Sequence, residues 1–276
     1  MTSFDYRRPA ELAEASELLC QEGAVALAGG TDLLVALRHR EVRPTVVVDL
    51  KSVGEIGKGI ERDGGHLHIG GGVVMSRLAR DQSVISSFPA LAAAASVVGS
   101  VQIRNRATLA GNLCNASPAA DTAPALLAYS ASVVVEGPDG YRTVPLREFF
   151  IGPGSTILAT GEVVTGIQIP LPTARMGSAF GRVTRRRGVD LASVNLACAV
   201  EQSGRVRFGF GAVASTPLSA VSSLEQLGDD EGWSRLLAIT SPISDVRAGA
   251  EYRRAMLEIH SKRALGQALE QLETAR

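Results

Sequence analysis

Between Val101 and Asp121 the chain reads Val-Gln-Ile-Arg-Asn-Arg-Ala-Thr-Leu-Ala-Gly-Asn-Leu-Cys-Asn-Ala-Ser-Pro-Ala-Ala-Asp, a mixture that a packed core alone would not select. Thr108, Gly111, Asn112, Asn115 and Ser117 set small or hydrogen-bonding side chains along it, and Gly111 lets the backbone come close to a ligand. The stretch predicts a ligand-binding turn. Pro118 closes it, and Asp121 stands before the apolar run Ala123 to Ala128, which predicts a helix with a carboxylate near its N-terminus. Upstream lies a second glycine turn, Ala28-Gly29-Gly30-Thr31-Asp32. There the strand Val25 to Ala28 runs into the turn and a helix, Leu33 to Arg40, leaves it. Unpaired backbone N–H groups at such a helix start face an anion, although a plain strand–helix connection has the same pattern.

The 276 residues predict about two domains. Twenty-eight basic and twenty-eight acidic residues cancel. That balance removes the electrostatic case for a nucleic-acid binder or a polybasic membrane protein, leaving small-molecule chemistry or protein partnership. The run Ala90 to Val98 is far shorter than the roughly 20 residues a bilayer requires, so no membrane insertion is expected. The opening Met-Thr-Ser-Phe-Asp-Tyr-Arg-Arg is acidic and aromatic where a secretory signal is basic and then apolar, which predicts a cytoplasmic protein. Cys20, Cys114 and Cys198 are far apart and form no CxxC, so neither a disulfide framework nor a zinc or iron–sulfur site is encoded. Any metal cluster belongs to a partner.

In chain order, Pro9 to Gly23 predicts a helix with Leu12, Ala15, Leu18 and Leu19 as its apolar stripe. Val46 to Leu50 predicts a buried strand, so residues 1 to about 55 make an α/β lobe with parallel strands. After the glycine-rich stretch 53–65, a strand at Leu67 to Gly72 begins a second lobe. His66 and His68 share one of its faces but have no third ligand nearby. Ser76 to Ala79 and Pro89 to Val98 predict helices. Ser132 to Glu136 and Tyr141 to Val144 form a hairpin about Pro138-Asp139-Gly140, and Val163 to Ile169 adds a strand. The segment Pro170 to Arg175 predicts the domain boundary, giving domains 1–172 (lobes about 1–55 and 56–172) and 173–276. In the second, strands at Ser178 to Thr184, Ser193 to Gln202 and Arg205 to Val213 alternate across a Ser203-Gly204 turn. Helices are predicted at Ala220 to Leu227, Gly232 to Ile239 and Ala248 to Leu272. The result is an α+β domain with an antiparallel sheet.

Two signals mislead. Gly209-Phe210-Gly211-Ala212-Val213-Ala214 fits G-x-G-x-x-A, but Ser215-Thr216-Pro217 follow where a dinucleotide motif needs a helix, so the glycines read as structural. The run Arg185-Arg186-Arg187 reads as a solvated face, a phosphate contact or a partner interface. No G-x-x-x-x-G-K-[ST], no G-x-S-x-G and no activated cysteine is present, and nothing resembles a hydrolase nucleophile.

Taken together, Ala28-Gly29-Gly30-Thr31-Asp32-Leu33 and the stretch from Gln102 to Asp121 closely resemble the FAD-binding medium subunits of the molybdenum hydroxylases, which include those of carbon monoxide and xanthine dehydrogenases. The landmarks Gly70-Gly71-Gly72, Ile167-Gln168-Ile169-Pro170, Ser178-Ala179-Phe180, Arg185-Arg186 with Asp190-Leu191-Ala192, and Gly211 to Pro217 follow in the family's order. The resemblance implies a two-lobed vanillyl-alcohol-oxidase-like (PCMH-type) FAD domain followed by a small C-terminal α+β domain. It implies that Leu27, Ala28, Gly29, Gly30, Thr31, Asp32 and Leu33 hold the FAD diphosphate from one side, and Thr108, Gly111 and Asn112 from the other, with Asn115 beside them. Asp121 matches an acidic residue beside FAD. Val98 matches a hydrophobic position preceding the second motif, and helix packing is its other reading. The family usually has glycine at position 110, where this chain has Ala110, so that residue is expected to have negative φ. Some relatives have a lysine close to the flavin near the position of Ser193, and it is absent here.

The implied activity is that of a flavoprotein oxidoreductase subunit. FAD receives electrons from 2Fe–2S clusters on a small partner and passes them to a terminal acceptor. A large molybdopterin subunit hydroxylates the substrate, and two copies of each subunit assemble. On this reading the chain has no catalytic acid or base and binds no metal. Two rivals remain: a stand-alone FAD oxidoreductase, and a flavin-free structural subunit.

Overall fold

The computed structural model describes residues 3–186 and 188–274, so Arg187 of the arginine run lies outside the described residues. The first lobe contains β1 (Asp5–Arg7), α1 (Leu12–Leu19), β2 (Ala24–Leu27), α2 (Leu33–His39) and β3 (Val46–Asp49). Its sheet has the order β1-β3-β2 with both pairings parallel. All four residues of the central strand are buried, as a continuous apolar run requires when strands flank it and α1 packs against it. The edge strand β1 has no apolar pattern to announce it; tertiary pairing with β3 makes it a strand.

The second lobe contains β4 (Ile60–Asp63), β5 (His66–Gly70), α3 (Met75–Leu78), α4 (Gln82–Ser87), α5 (Pro89–Ser96), α6 (Val101–Arg104), α7 (Leu109–Cys114) and α8 (Thr122–Ala128). It continues through β6 (Ser132–Gly137), β7 (Gly140–Pro145), β8 (Phe150–Gly152), β9 (Ser155–Thr156) and β10 (Val163–Pro170). Five of its strands form a sheet in the order β4-β5-β10-β6-β7. Alternation along the strands buries Leu67, Ile69, Val133, Val135, Ile167 and Ile169 under the helices. The same alternation leaves His66 and His68 on the other face, where His66 Nδ1 meets the Gly64 carbonyl and His68 Nε2 the Asp63 carbonyl. The glycine-rich stretch 53–65 contains β4, whose largely solvated residues pair with β5.

The C-terminal region contains β11 (Met176–Val183), β12 (Val194–Glu201), β13 (Arg205–Gly211), β14 (Leu218–Ser223), α9 (Asp230–Leu237) and α10 (Ala250–Thr274). Its antiparallel sheet has the order β11-β12-β13-β14. Here one expectation is corrected. The helix predicted over Ala220 to Leu227 is replaced by β14, because Leu218 to Ser223 completes the ladder of β13, from Arg205 opposite Ser223 to Phe210 opposite Leu218. Pairing outweighs the helical composition of an alanine and leucine stretch.

Helix α8 lies between the second lobe and this sheet and is buried at every residue. Pro124 sits in its first turn, where its missing N–H is no loss. A β-carbon at Gly209 would stand 1.9 Å from the Pro124 carbonyl oxygen, so the glycines of the false dinucleotide motif serve close packing of strand on helix. Polar bonds tie the same seam: the Tyr129 hydroxyl lies 2.6 Å from Ser178 Oγ, and Arg207 Nε donates to the Ala128 carbonyl. Among the described residues no helix is long and apolar enough to cross a membrane.

Candidate functional site

The two glycine segments, far apart in sequence, meet in space. A β-carbon built on Gly29 would lie 2.2 Å from the Arg106 carbonyl oxygen and 3.0 Å from Ala107 Cα, so only glycine lets the first turn rest on the approach to the second. Asn115 Nδ2 reaches Asp32 Oδ1 at 3.5 Å, and a β-carbon on Gly111 would come 3.9 Å from Ala28 Cβ. Thus Ala28, Gly29, Asp32, Gly111 and Asn115 line one junction.

The first turn leaves the buried Leu27 at the end of β2, passes Gly30 in the left-handed region (φ 78°) and enters α2 at Leu33. The first helical-type bond within the segment comes from Leu34 N–H to the Gly30 carbonyl. Five consecutive N–H groups, those of Gly29, Gly30, Thr31, Asp32 and Leu33, make no hydrogen bond among the described residues. Asp32, the residue before the helix, does not cap it with its side chain. Thr31 Oγ1 points back to Asp32 Oδ2 at 3.2 Å. A row of open donors at a strand's carboxyl end, on half-buried backbone, is the arrangement that receives phosphate oxygens.

The second segment was expected as a turn, and here the structure differs: Thr108 to Asn112 is the start of α7. Thr108, itself buried, is the N-cap, and its Oγ1 accepts from Gly111 N–H at 3.0 Å. Leu109 N–H donates to the Val73 carbonyl and Asn112 N–H to the Thr108 carbonyl. Ala110 N–H is the one early amide of this helix with no partner among the described residues. Ala110 lies inside the helix and is not among the residues of positive φ, as its β-carbon demands. Asn112 Oδ1 accepts from Thr122 Oγ1 at 2.6 Å, which joins α7 to the first residue of α8.

Asp121, immediately before α8, is buried, and its Oδ1 accepts from Arg182 Nε and Asn195 Nδ2, each at 2.9 Å. Burial pushes its carboxyl above the ordinary value, while Arg182 and Asn195 pull the other way. Arg182 and Asn195 come from β11 and β12, so the C-terminal sheet supplies the partners of an acid in the second lobe. Arg182 was not anticipated; its signal is a cation alternating with Ser178 and Phe180 on the inward face of a strand. Val98 is half-buried against the core, and its carbonyl accepts from Arg104 Nη1 at 3.1 Å. Cys114 is half-buried against the core, and desolvation pushes its thiol up to about 12; burial raises that of Cys198 as well, so neither is a thiolate near neutrality.

A second unanticipated group borders the first turn. Lys51, just past β3, places Nζ 2.5 Å from Asp49 Oδ1 and 3.5 Å from the Ala28 carbonyl oxygen. Asp49 is buried, and the Tyr6 hydroxyl donates to its other oxygen. Burial alone would raise the Asp49 carboxyl, but Lys51 and Tyr6 hold it below the usual range. The arginine run contributes Arg185 and Arg186, which flank the shielded carboxylate of Asp190 at 3.8 and 3.9 Å.

Residues 2–172 match the family described as the FAD binding domain in molybdopterin dehydrogenase, and residues 179–268 match the CO dehydrogenase flavoprotein C-terminal domain. The chain is 32% identical to the xanthine dehydrogenase FAD-binding subunit of Escherichia coli O157:H7, over 96% of this chain and 95% of that one. It is 32% identical to the carbon monoxide dehydrogenase medium chain of Hydrogenophaga pseudoflava, over 96% of each. The solved structure of carbon monoxide dehydrogenase from H. pseudoflava lacking the Mo-pyranopterin moiety contains a chain that superposes with a TM-score of 0.89 at 31% identity, covering 97% of this chain and 98% of that one. A chain of quinoline 2-oxidoreductase from Pseudomonas putida 86 superposes with a TM-score of 0.87 at 28% identity, over 98% of each.

Proposed function

The chain belongs to the family of FAD-binding medium subunits of the molybdopterin dehydrogenases, and from that premise we propose that it carries electrons from the 2Fe–2S clusters of a small partner subunit, through FAD, to a terminal acceptor. A large molybdopterin subunit hydroxylates the substrate, and the assembly is a cytoplasmic dimer of heterotrimers. Within it, 1–172 is the FAD domain and 173–276 the C-terminal domain.

The observation that supports this reading best is the row of five N–H groups from Gly29 to Leu33 that make no hydrogen bond among the described residues, in a turn that adjoins the capped start of α7. FAD supplies the redox chemistry when bound, and the protein's work is binding, orientation and electrostatics. In this reading Leu27 to Leu33 hold the diphosphate through backbone donors, with Gly29 and Gly30 chosen for close approach and positive φ. Thr108, Gly111 and Asn112 form the opposing wall, Ala110 N–H adds one donor, and Asn115 joins the walls. Asp121, locked by Arg182 and Asn195, offers its remaining acceptor capacity to cofactor hydroxyls, and Val98 contributes apolar surface. No side chain here acts as acid or base on a substrate, so the catalytic set is empty.

The test combines retention and company. Gly29→Asp brings bulk and negative charge to the row of donors and is expected to abolish flavin in the folded protein, read by absorbance at constant protein; unchanged stoichiometry would refute the diphosphate site. Purification of the tagged chain from its native host is expected to give flavin bands over broad iron–sulfur absorption, with a large and a small partner at equal stoichiometry. An active flavoenzyme made of this chain alone would overturn the subunit reading.

A further inference from the structure

We propose that Lys51 is a positioning residue for the first glycine turn: it holds the Ala28 carbonyl so that the Gly29 N–H is presented to the cofactor's diphosphate. This rests on the reading of that turn as the diphosphate site.

Strands β2 and β3 are parallel neighbours with Leu27 opposite Asp49, so the chain leaves both at the same end of the sheet. The segments that follow, Ala28 onward and Leu50 onward, therefore emerge side by side, at the strand ends where parallel sheets bind ligands. Lys51 sits in the short helical turn Leu50–Ser52, which Asp49 caps by accepting the Lys51 N–H at 3.0 Å. The same carboxylate holds Lys51 Nζ at 2.5 Å. Asp49 is in turn fixed by burial and by the Tyr6 hydroxyl. A lysine ordinarily loses much rotamer freedom when it is ordered. Here a buried anchor at its base already directs the ammonium toward Ala28.

An ammonium has three N–H donors. One meets Asp49, and a second makes a long bond, 3.5 Å, to the Ala28 carbonyl. A trans peptide is planar, so the N–H of Gly29 points opposite to the carbonyl of Ala28. With the carbonyl held toward Lys51, the Gly29 N–H is turned away from the strand seam and joins the open donors of Gly30 to Leu33. Asp49 compensates most of the lysine charge at a distance, so the effect on FAD comes from orientation and not from net charge.

The test uses the whole 276-residue chain, stripped of flavin and titrated with FAD at low and high salt, with thermal unfolding recorded for every variant. Lys51→Met is expected to weaken FAD binding about tenfold, the scale of one charge-assisted hydrogen bond. Its salt dependence should parallel that of the parent, and Lys51→Arg should restore most of the affinity. A Met variant that binds FAD like the parent, while Gly29→Asp does not bind, would overturn the role of Lys51 and leave the diphosphate site standing. Parent-like binding by Gly29→Asp would overturn both. A markedly flatter salt dependence in the Met variant would replace orientation by direct charge attraction and so overturn the proposal. Should Lys51→Met fail to fold, Tyr6→Phe, which loosens Asp49 but keeps the lysine, is expected to weaken FAD about threefold by the same logic, and no change there would count against it.

Discussion

The two glycine segments look alike in sequence and differ in how their donors are used. From Gly29 to Leu33 five N–H groups have no hydrogen-bond partner among the described residues, whereas in α7 Leu109, Gly111 and Asn112 are already bonded to the Val73 carbonyl, Thr108 Oγ1 and the Thr108 carbonyl. An open row of amides can take charge from a ligand; a capped helix start is a finished wall. The first segment is therefore expected to grip the cofactor and the second to set its distance.

Alanine at each glycine breaks or sustains that contrast, and it carries the largest expected effect. At Gly29 the new β-carbon meets backbone atoms of Arg106 and Ala107, which no rotamer change relieves. We expect Gly29→Ala to lose flavin and about 3 kcal/mol of stability, the upper range for overpacking. At Gly111 the β-carbon meets the Thr108 hydroxyl at 2.8 Å, and that hydroxyl can swing aside. There the lost cap, about 1 kcal/mol, is offset by a similar gain in helix propensity, so Gly111→Ala should keep both fold and flavin. Equal loss of flavin from the two variants, measured by absorbance after denaturant-checked purification, would end the distinction.

The next effect reaches the wall from the other domain. Arg182→Met leaves the buried Asp121 without its cation, and breaking such a pair costs about 3 kcal/mol. The pH sign follows from Asp121, whose folded pKa is already raised and rises further without Arg182. The penalty exists while the folded carboxyl is ionised, so it should shrink as pH falls through the folded value toward the unfolded one. Urea unfolding of parent and variant at neutral and mildly acid pH reads this directly; a deficit that grows with acidity would contradict it. Thr108→Ala, smaller still, should cost about 1 kcal/mol by chemical denaturation and leave flavin stoichiometry intact, because it frees a donor at the wall while the grip stays with the first turn.

Much of this was legible because local chemistry spelled it out. The alternation of His66 to Ile69, the Pro138-Asp139-Gly140 hairpin turn and the all-buried run Val46 to Asp49 each follow from a period or a turn residue. Resemblance supplied the pairing of the two motifs, which no local rule contains. What stayed hidden depends on long-range contact. The Leu218 to Ser223 strand exists because β13 offers an edge, and Arg182, Asn195, Asp49 and Lys51 acquire meaning only when distant segments meet. The Thr108 cap was readable in principle, since a threonine three residues before a glycine amide is an ordinary helix start.

The smallest effect tests the grip itself. Asp32 is exposed, sits at the start of α2 and places a carboxylate beside the open donors. As an acid at a helix N-terminus it contributes about 0.5 kcal/mol of stability, and the same charge repels a diphosphate. Asp32→Asn should therefore lower thermal stability slightly while tightening FAD about twofold at low salt, a gain that vanishes as salt screens the charge. Titration of the flavin-free chain at two ionic strengths measures both quantities. Weaker binding in the Asn variant at every salt concentration would mean that the carboxylate accepts a hydrogen bond from the cofactor. In that case the first turn would hold FAD by a side chain as well as by its backbone, and the contrast with α7 would have to be drawn between two kinds of grip.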